Sequence, residues 1–223
     1  MVSAEDDPHQ GGTIWALNLD EPAPVITPLV PATFRQVGRE SALALGTALG
    51  GDTTGEVLRR FETGRRCYTA WVEGALAAYG WVSINEEFVG ELNLRLWLLP
   101  GEAYIWDCAT VPAFRRQSLY SALLAYILGE LRGEKLCRAW IGADMDNLAS
   151  QRGIARAGFR RVADLVVEQV LPLRKAWVQG RPGVPESLVS EARRVFLGDR
   201  DKVWLEALSP ATSQPHLWSR LIR

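Results

Sequence analysis

Apolar residues change their spacing several times along this chain, and each change predicts a new element. Phe34, Val37, Ala42, Leu45 and Leu49 recur at roughly three- and four-residue steps, which predicts a helix that Gly50-Gly51 stops. Thr53 or Thr54 can cap a second short helix carrying Val57, Leu58 and Phe61, ended by Gly64. The pattern then turns to strand. Residues 67–72 and 75–84 are short apolar runs joined by Glu73-Gly74, the mark of a hairpin. Asn85-Glu86-Glu87 breaks the run, residues 88–99 are apolar but interrupted, and Pro100-Gly101 predicts a turn. Residues 103–110 predict the third strand of the series, with Pro112 at its exit.

The strongest helical pattern covers 118–132, where Leu119, Leu123, Tyr126 and Ile127 share one stripe with Ala122 between them. Residues 136–141 predict a strand. Asn147 can cap a helix that runs to Ala157 and stops at Gly158. A strand over 162–171 closes at Pro172, and Ala176–Val178 reads as a short strand. Pro185 suits the start of a helix over 186–197. At the front, Pro22, Pro24, Pro28 and Pro31 exclude a regular helix, and the run Ile14–Leu17 behind Gly11-Gly12 reads as a short strand or an edge-packing arm. The pattern divides the chain into an arm over 1–31, a domain over 32–178, and a tail over 179–223 that docks its helix, Trp204 and Trp218 on the body. No internal repeat or low-complexity tract is visible.

Composition narrows the classes. With 223 residues, 48% hydrophobic and 23% charged, the chain has the make-up of an ordinary soluble domain with enough length for a sizeable core. Its 25 basic residues against 26 acidic ones, net −1, speak against a nucleic-acid partner gripped through phosphates. No run approaches the roughly 18 apolar residues of a spanning helix. The acidic start lacks the basic n-region of a secretory signal, so a cytoplasmic protein without a membrane partner is expected. Cys67, Cys108 and Cys137 are odd in number and sit in apolar runs, as reduced, buried thiols do. The two histidines, His9 and His216, lie near the ends in polar sequence. They offer no zinc set of the usual kind, so no metal is expected, and a Ser-His-Asp triad would have to borrow one of them.

The chemistry concentrates in 103–171, which reads strand, Pro-containing turn, Arg-rich loop, helix, strand, Asn-capped helix, Gly-Phe, strand. Free N–H groups at a helix start and the positive end of its dipole attract phosphate, and Arg115 and Arg116 add charge there while Gln117 adds a neutral donor. The plain alternative for these three residues is a solvated loop.

Two stretches carry a resemblance. One runs from Thr110 through Val111-Pro112-Ala113-Phe114-Arg115-Arg116-Gln117-Ser118-Leu119-Tyr120 to Leu124. The other is Asn147-Leu148-Ala149-Ser150 followed by Ala157-Gly158-Phe159. In this order and separation, over about a third of the chain, they resemble the GNAT superfamily of acyl-CoA N-acyltransferases. The resemblance implies an α/β fold with a mixed, mostly antiparallel sheet and helices on both faces, here with a C-terminal helical extension. It implies acetyl-CoA as co-substrate and direct transfer of the acyl group to a primary amine of a small molecule or peptide. A homodimer is compatible with it.

Residue by residue, the resemblance places the CoA diphosphate on Arg115, Arg116, Gln117 and Ser118, with Leu119 and Tyr120 behind them. It lays the pantetheine along Cys108, Ala109 and Thr110, where the strand splays from its partner over 136–141, and lets Asn147 touch it besides capping its helix. Asp107, which interrupts an apolar strand on the face opposite Trp106 and Cys108 by alternation, is the first candidate for the base that takes the amine proton. Asp144 is the second and Glu102 the third. A structural hydrogen bond or a bulge is the alternative for Asp107, the turn before the helix is the alternative for Asp144, and inert packing or a nucleophile are the two readings of Cys108.

The chain also departs from the family pattern Gln/Arg-x-x-Gly-x-Gly/Ala. Ser118 and Tyr120 stand at its glycine positions, and Ile154 stands where the family commonly has a proton-donating tyrosine. Ser150, Tyr120, Tyr104 or water would then protonate the thiolate. These departures carry a second reading, a catalytically silent module on the same scaffold that binds CoA or a protein partner. A third reading, an interaction protein, draws on Trp204, Trp218 and the amphipathic run Val189–Leu197. Trp71, Trp81, Trp97, Trp106 and Trp140 either fill the core or line an acceptor cleft.

Overall fold

A computed structural model describes residues 9–50, 53–89, 94–170 and 172–206. The first half contains β1 (His9–Asn18), β2 (Thr33–Val37), α1 (Ala42–Ala48), α2 (Thr54–Glu62), β3 (Arg66–Val72), β4 (Ala75–Ser83), β5 (Glu86–Val89) and β6 (Leu94–Trp97). Then follow β7 (Glu102–Thr110), α3 (Leu119–Gly133), β8 (Arg138–Asp144), α4 (Leu148–Arg156), β9 (Arg160–Val170), β10 (Leu173–Gly180), α5 (Glu186–Leu197) and β11 (Lys202–Glu206).

Nine strands form one sheet in the order β11-β10-β9-β1-β8-β7-β4-β3-β2, while β5 and β6 pair separately. Every neighbouring pair in the large sheet is antiparallel except β7–β8, which is parallel. The sheet is therefore mixed and mostly antiparallel, as expected. Helices cover both faces, following the alternation of side chains along each strand. Leu119, Leu123, Ile127 and Leu131 of α3 and Ile154 of α4 pack with Ala103 and Ile105 on one face. On the other face, Val189, Val195 and Phe196 of α5 pack with Tyr104 and Trp140, and α1 and α2 close over Cys67, Tyr79 and Trp81. No helix among the described residues is long and apolar enough to cross a membrane.

Three expectations are corrected. The helix expected from Phe34 to Leu49 begins as strand β2 and becomes helical only at Ala42, after a 3-10 turn over Arg39–Ser41. The edge of β3 decides this. It offers Phe34–Val37 a ladder of backbone partners, Thr69 adds an Oγ1 bond to the Arg35 carbonyl (3.2 Å), and the Arg35 guanidinium lies 4.6 Å from the Trp71 ring centre.

The run behind Gly11-Gly12 is a strand, and it is central rather than an arm at an edge. β1 pairs with β8 on one side and β9 on the other, so the sheet of the domain includes residues before 32. Thr13 sits fully buried there, bonding the Ala143 carbonyl (3.0 Å) and accepting from the Trp15 indole (2.8 Å).

The tail is helical over Glu186–Leu197, as expected, but it then adds β11 to the sheet edge through β10. Trp204 on β11 is half exposed, whereas Trp218 lies outside the described residues. The interrupted run 88–99 holds β6 and most of β5, which begins at Glu86; the two pair as a hairpin, with residues 90–93 outside the described residues.

Candidate active site

The sheet opens at one point. β7 and β8 pair only from Glu102↔Arg138 to Ile105↔Ile141. Beyond that, β7 continues to Thr110 on β4, and β8 continues to Asp144 on β1. The strand before the Arg-rich loop therefore splays from its neighbour. The stretch across the gap is 142–144, because 138–141 is already used in pairing.

Within the open segment, the β4–β7 register shifts. Tyr79 pairs with Ala109 and Trp81 with Trp106, so Asp107 and Cys108 together stand opposite Gly80 as a bulge. Asp107 takes φ of 41°, in the left-handed region that costs a residue with a Cβ roughly 1–2 kcal/mol. The bulge corrects the expected alternation: Asp107 shares the α2 face with Trp106, while Cys108 turns toward α3.

The thiol of Cys108 donates to the Trp106 carbonyl (3.5 Å), and burial, then the Asp107 charge, pushes its pKa up strongly. Burial likewise holds Cys67 well above the ordinary thiol value of 9.0. Cys67 is buried packing, and the raised pKa of the part-buried Cys108 speaks for packing over a nucleophile. At pH 8 the folded protein should expose one fast-reacting thiol, Cys137, and denaturant should release all three. Below about pH 9 folded and unfolded thiols are alike protonated. Above it Cys67 and Cys108 ionise only in the unfolded chain, so stability should fall as pH rises further. Fast reaction of a second thiol in the native state would refute this.

The loop from β7 to α3 faces α4 across a cavity of about 430 Å³. Ala109 and Thr110 form its floor, and Arg115, Arg116 and Ser118 line one wall. Arg116 and Ser118 both sit in the left-handed region, at φ 63° and 61°. That is the conformation glycine adopts at no cost, and alternation of this kind turns backbone N–H groups toward an anion. Ser118 makes no side-chain cap to α3; its Oγ instead accepts from Arg156 Nη1 (3.0 Å). Arg115 Nε donates to the Thr110 carbonyl (3.4 Å).

Tyr120 joins the wall rather than filling the mouth. Its ring lies on Gly153, where any Cβ would overlap it, and its hydroxyl shares a 3.0 Å hydrogen bond with Ser150 Oγ. Burial raises this phenol far above its ordinary value. Asn147 caps α4 as expected, its Oδ1 accepting from Ser150 N (3.0 Å). It does not line the cavity, and neither does Gln117, which turns to a separate groove beside Arg35 and Trp71.

The expected list missed Arg152, Gly153 and Arg156, which form the opposite wall with Ala149. Positions 149, 152, 153 and 156 follow the i, i+3, i+4, i+7 pattern of one helix face, and the sequence does not show where that face turns. Among the described residues no acidic one lines the cavity.

The acid–base candidates separate clearly. Asp107 is ion-paired with Arg60 of α2, which also holds Glu56 (2.8 Å). The Arg60 guanidinium lies 4.7 and 5.1 Å from the ring centres of Trp106 and Trp81. Burial pulls the Arg60 pKa down, but the two carboxylates outweigh it and the net direction is up. Burial and then the Asp107 charge also raise Tyr79. Trp106 is fixed in turn: its indole donates to Ser83 Oγ (2.9 Å), and Ser83 donates to Glu87, which Arg65 holds at 3.1 Å.

Asp144 is buried at the end of β8, and its carbonyl accepts from Asn147 N (3.1 Å) and Gln151 Nε2 (3.0 Å), so it builds the turn into α4. Glu102 sits at the other end of β7, clasped by Arg194 of α5 (2.8 and 3.0 Å), and serves the core. Tyr104 packs edge-on against Phe196 and Ile154 is fully buried. Of the side chains considered for protonating a thiolate, only Tyr120 and Ser150 stand together at this site.

A model of the acetyltransferase (GNAT) family matches residues 43–159. Among solved structures, the chain resembles a GNAT-family acetyltransferase from Colwellia psychrerythraea with a TM-score of 0.54 and 16% identity, covering 77% of this chain and 56% of that one. A GCN5-related N-acetyltransferase from Sphaerobacter thermophilus gives 0.53 and 16%, covering 71% and 50%. One from Kribbella flavida gives 0.51 and 16%, covering 78% and 58%. The chain thus spans about half the length of these structures, and at such identity they speak for the fold alone. No curated protein sequence matches the chain.

Proposed function

The chain belongs to the acetyltransferase (GNAT) family, and from that premise we propose that it transfers an acetyl group from acetyl-CoA to a primary amine of a small molecule or peptide. The observation that carries this reading is the arginine-lined cavity lying where β7 and β8 part. Loop amides and Arg115 and Arg116 hold the diphosphate. The unpaired edges of 106–110 and 142–144 receive the pantetheine amides as an added strand would be received.

The bulged backbone of β7 brings an N–H to the carbonyl oxygen as negative charge develops on it. Asp107 takes the proton of the incoming ammonium, directly or through water, on the side where Glu56 and Arg60 stand. The neutral amine then attacks; the C–N bond forms, the C–S bond breaks, and the thiolate leaves. Tyr120, steadied by Ser150, donates the proton that the thiolate accepts.

Calorimetry with acetyl-CoA, joined to a free-thiol assay over a panel of amines, tests the reading. Saturable binding and amine-dependent thiol release are expected. Arg115→Ala should weaken binding about tenfold, the value of a charge-assisted hydrogen bond. No binding up to millimolar ligand would sink the proposal.

A further inference from the structure

A groove of about 780 Å³, the size of a small-molecule site, lies on the other side of the loop that leads into α3. It is separate from the arginine cavity, and Phe114 lines both. Pro31, Val72 and Phe114 give it apolar wall, and Trp71 carries its polar end.

That polar end is built before any ligand arrives. The Trp71 indole donates to Thr69 Oγ1 (2.8 Å), and Thr69, fully buried, donates in turn to the Arg35 carbonyl (3.2 Å). The ring is thereby fixed, and the Arg35 guanidinium rests 4.6 Å from its centre. A guanidinium resting on a ring keeps its in-plane N–H fork for a carboxylate.

Arg35 and Glu73 are the charged residues of the groove, one of each sign. They do not pair with each other, and among the described residues neither enters an ion pair. Glu40 feels the Arg35 charge without pairing to it. Glu73 opens the turn between β3 and β4 at φ of 50°, and Gly74 follows at 80°. Two left-handed residues make this a turn where Asn, Asp or Gly usually stands first, so a glutamate is held there at a cost. Gln117, also on the groove wall, has its Oε1 covered and without a partner among the described residues. A donor brought into the groove would offset that cost.

We infer that this groove binds a free α-amino acid with an apolar side chain. Its carboxylate sits on the Arg35 fork, its ammonium on Glu73, and its side chain against Trp71 and Phe114. One charge of each sign, kept apart in one groove, matches a zwitterion; an anion or a cation alone would leave one of the two uncompensated. The site is distinct from the donor cavity and from Asp107, and it does not depend on the acetyl-transfer reading.

Ligand-observed NMR titration of the full chain with L-phenylalanine, phenylalaninamide and N-acetylphenylalanine, up to about 10 mM, tests this. L-Phenylalanine should bind saturably. The amide, which lacks the carboxylate, and the N-acetyl derivative, which lacks the ammonium, should each bind about fivefold or more weakly. Arg35→Gln should bring L-phenylalanine and its amide to within about twofold of each other, and Glu73→Gln should do so for L-phenylalanine and its N-acetyl derivative. Glu73→Gly should weaken L-phenylalanine as Glu73→Gln does while raising the denaturant midpoint, because glycine takes φ of 50° without strain, so the lost ligand cannot be blamed on a lost fold. Absence of saturable L-phenylalanine binding overturns the inference and leaves acetyl transfer untouched. Equal binding of all the ligands by the parent overturns it too. So does loss of binding in Asp107→Asn but not in Arg35→Gln, which would seat the amino acid at the amine site instead.

Discussion

Asp107→Asn is expected to lower amine acetylation about a hundredfold or more, the usual worth of a positioned general base, with acetyl-CoA affinity within about threefold of the parent. The expectation follows from where the bulge puts the carboxylate. It sits in the opened part of β7, on the α2 face, and away from the arginine cavity that would hold the donor. Stability must be read beside rate, because the same carboxylate pairs with Arg60.

Both side chains are mostly buried, at 12% and 13% exposure, and breaking such a pair typically costs about 3–5 kcal/mol. Glu56 still holds Arg60 and asparagine still offers a carbonyl, which places the loss at the lower end. Arg60→Gln in the same chain should restore part of that stability, since the buried guanidinium is gone while the partly exposed Glu56 loses its bond to Arg60, and should not restore activity. Unchanged rates for Asp107→Asn from pH 6 to 9 would remove Asp107 from the reaction. Rates recovered together with stability in the double variant would mean that its role is structural.

Gly11→Val should cost about 3–5 kcal/mol, enough to unfold a domain of ordinary stability. A Cβ at Gly11 would stand 2.5 Å from the Leu165 carbonyl oxygen. That oxygen belongs to the backbone of β9, inside a sheet held on both sides, and it cannot swing aside as a side chain would. Were residues 1–31 an arm lying on the surface, the same substitution would stay within about 0.5 kcal/mol. Denaturant midpoints of parent and variant decide between the two, and a midpoint unchanged within error would contradict the central position of β1.

The arginine cavity shows how far sequence reading reaches. Arg115, Arg116, Ser118 and Tyr120 were identifiable because a strand, a turn and a helix start follow one another within a few residues. Arg152 and Arg156 escaped because they lie on a different helix, and nothing local says which face of α4 turns toward the loop. The turn of the Gln117 side chain to a separate groove was hidden for the same reason: in a loop no period fixes the direction of a side chain. The pairing of Asp107 with Arg60 joins residues 47 positions apart and was invisible.

By itself, the sequence determined the elements whose signals are local. The α3 stripe, the Asn147 cap, the β3–β4 hairpin and the helix Glu186–Leu197 all rest on contacts between residues one to four apart, or across one turn. Only the tertiary structure decided that Phe34–Val37 is a strand, that β1 enters the middle of the sheet, and that a bulge turns Asp107 toward α2. Each of these depends on a partner far along the chain. Thr13 finds the Ala143 carbonyl 130 residues away, and a backbone group takes whichever partner the folded sheet leaves open to it.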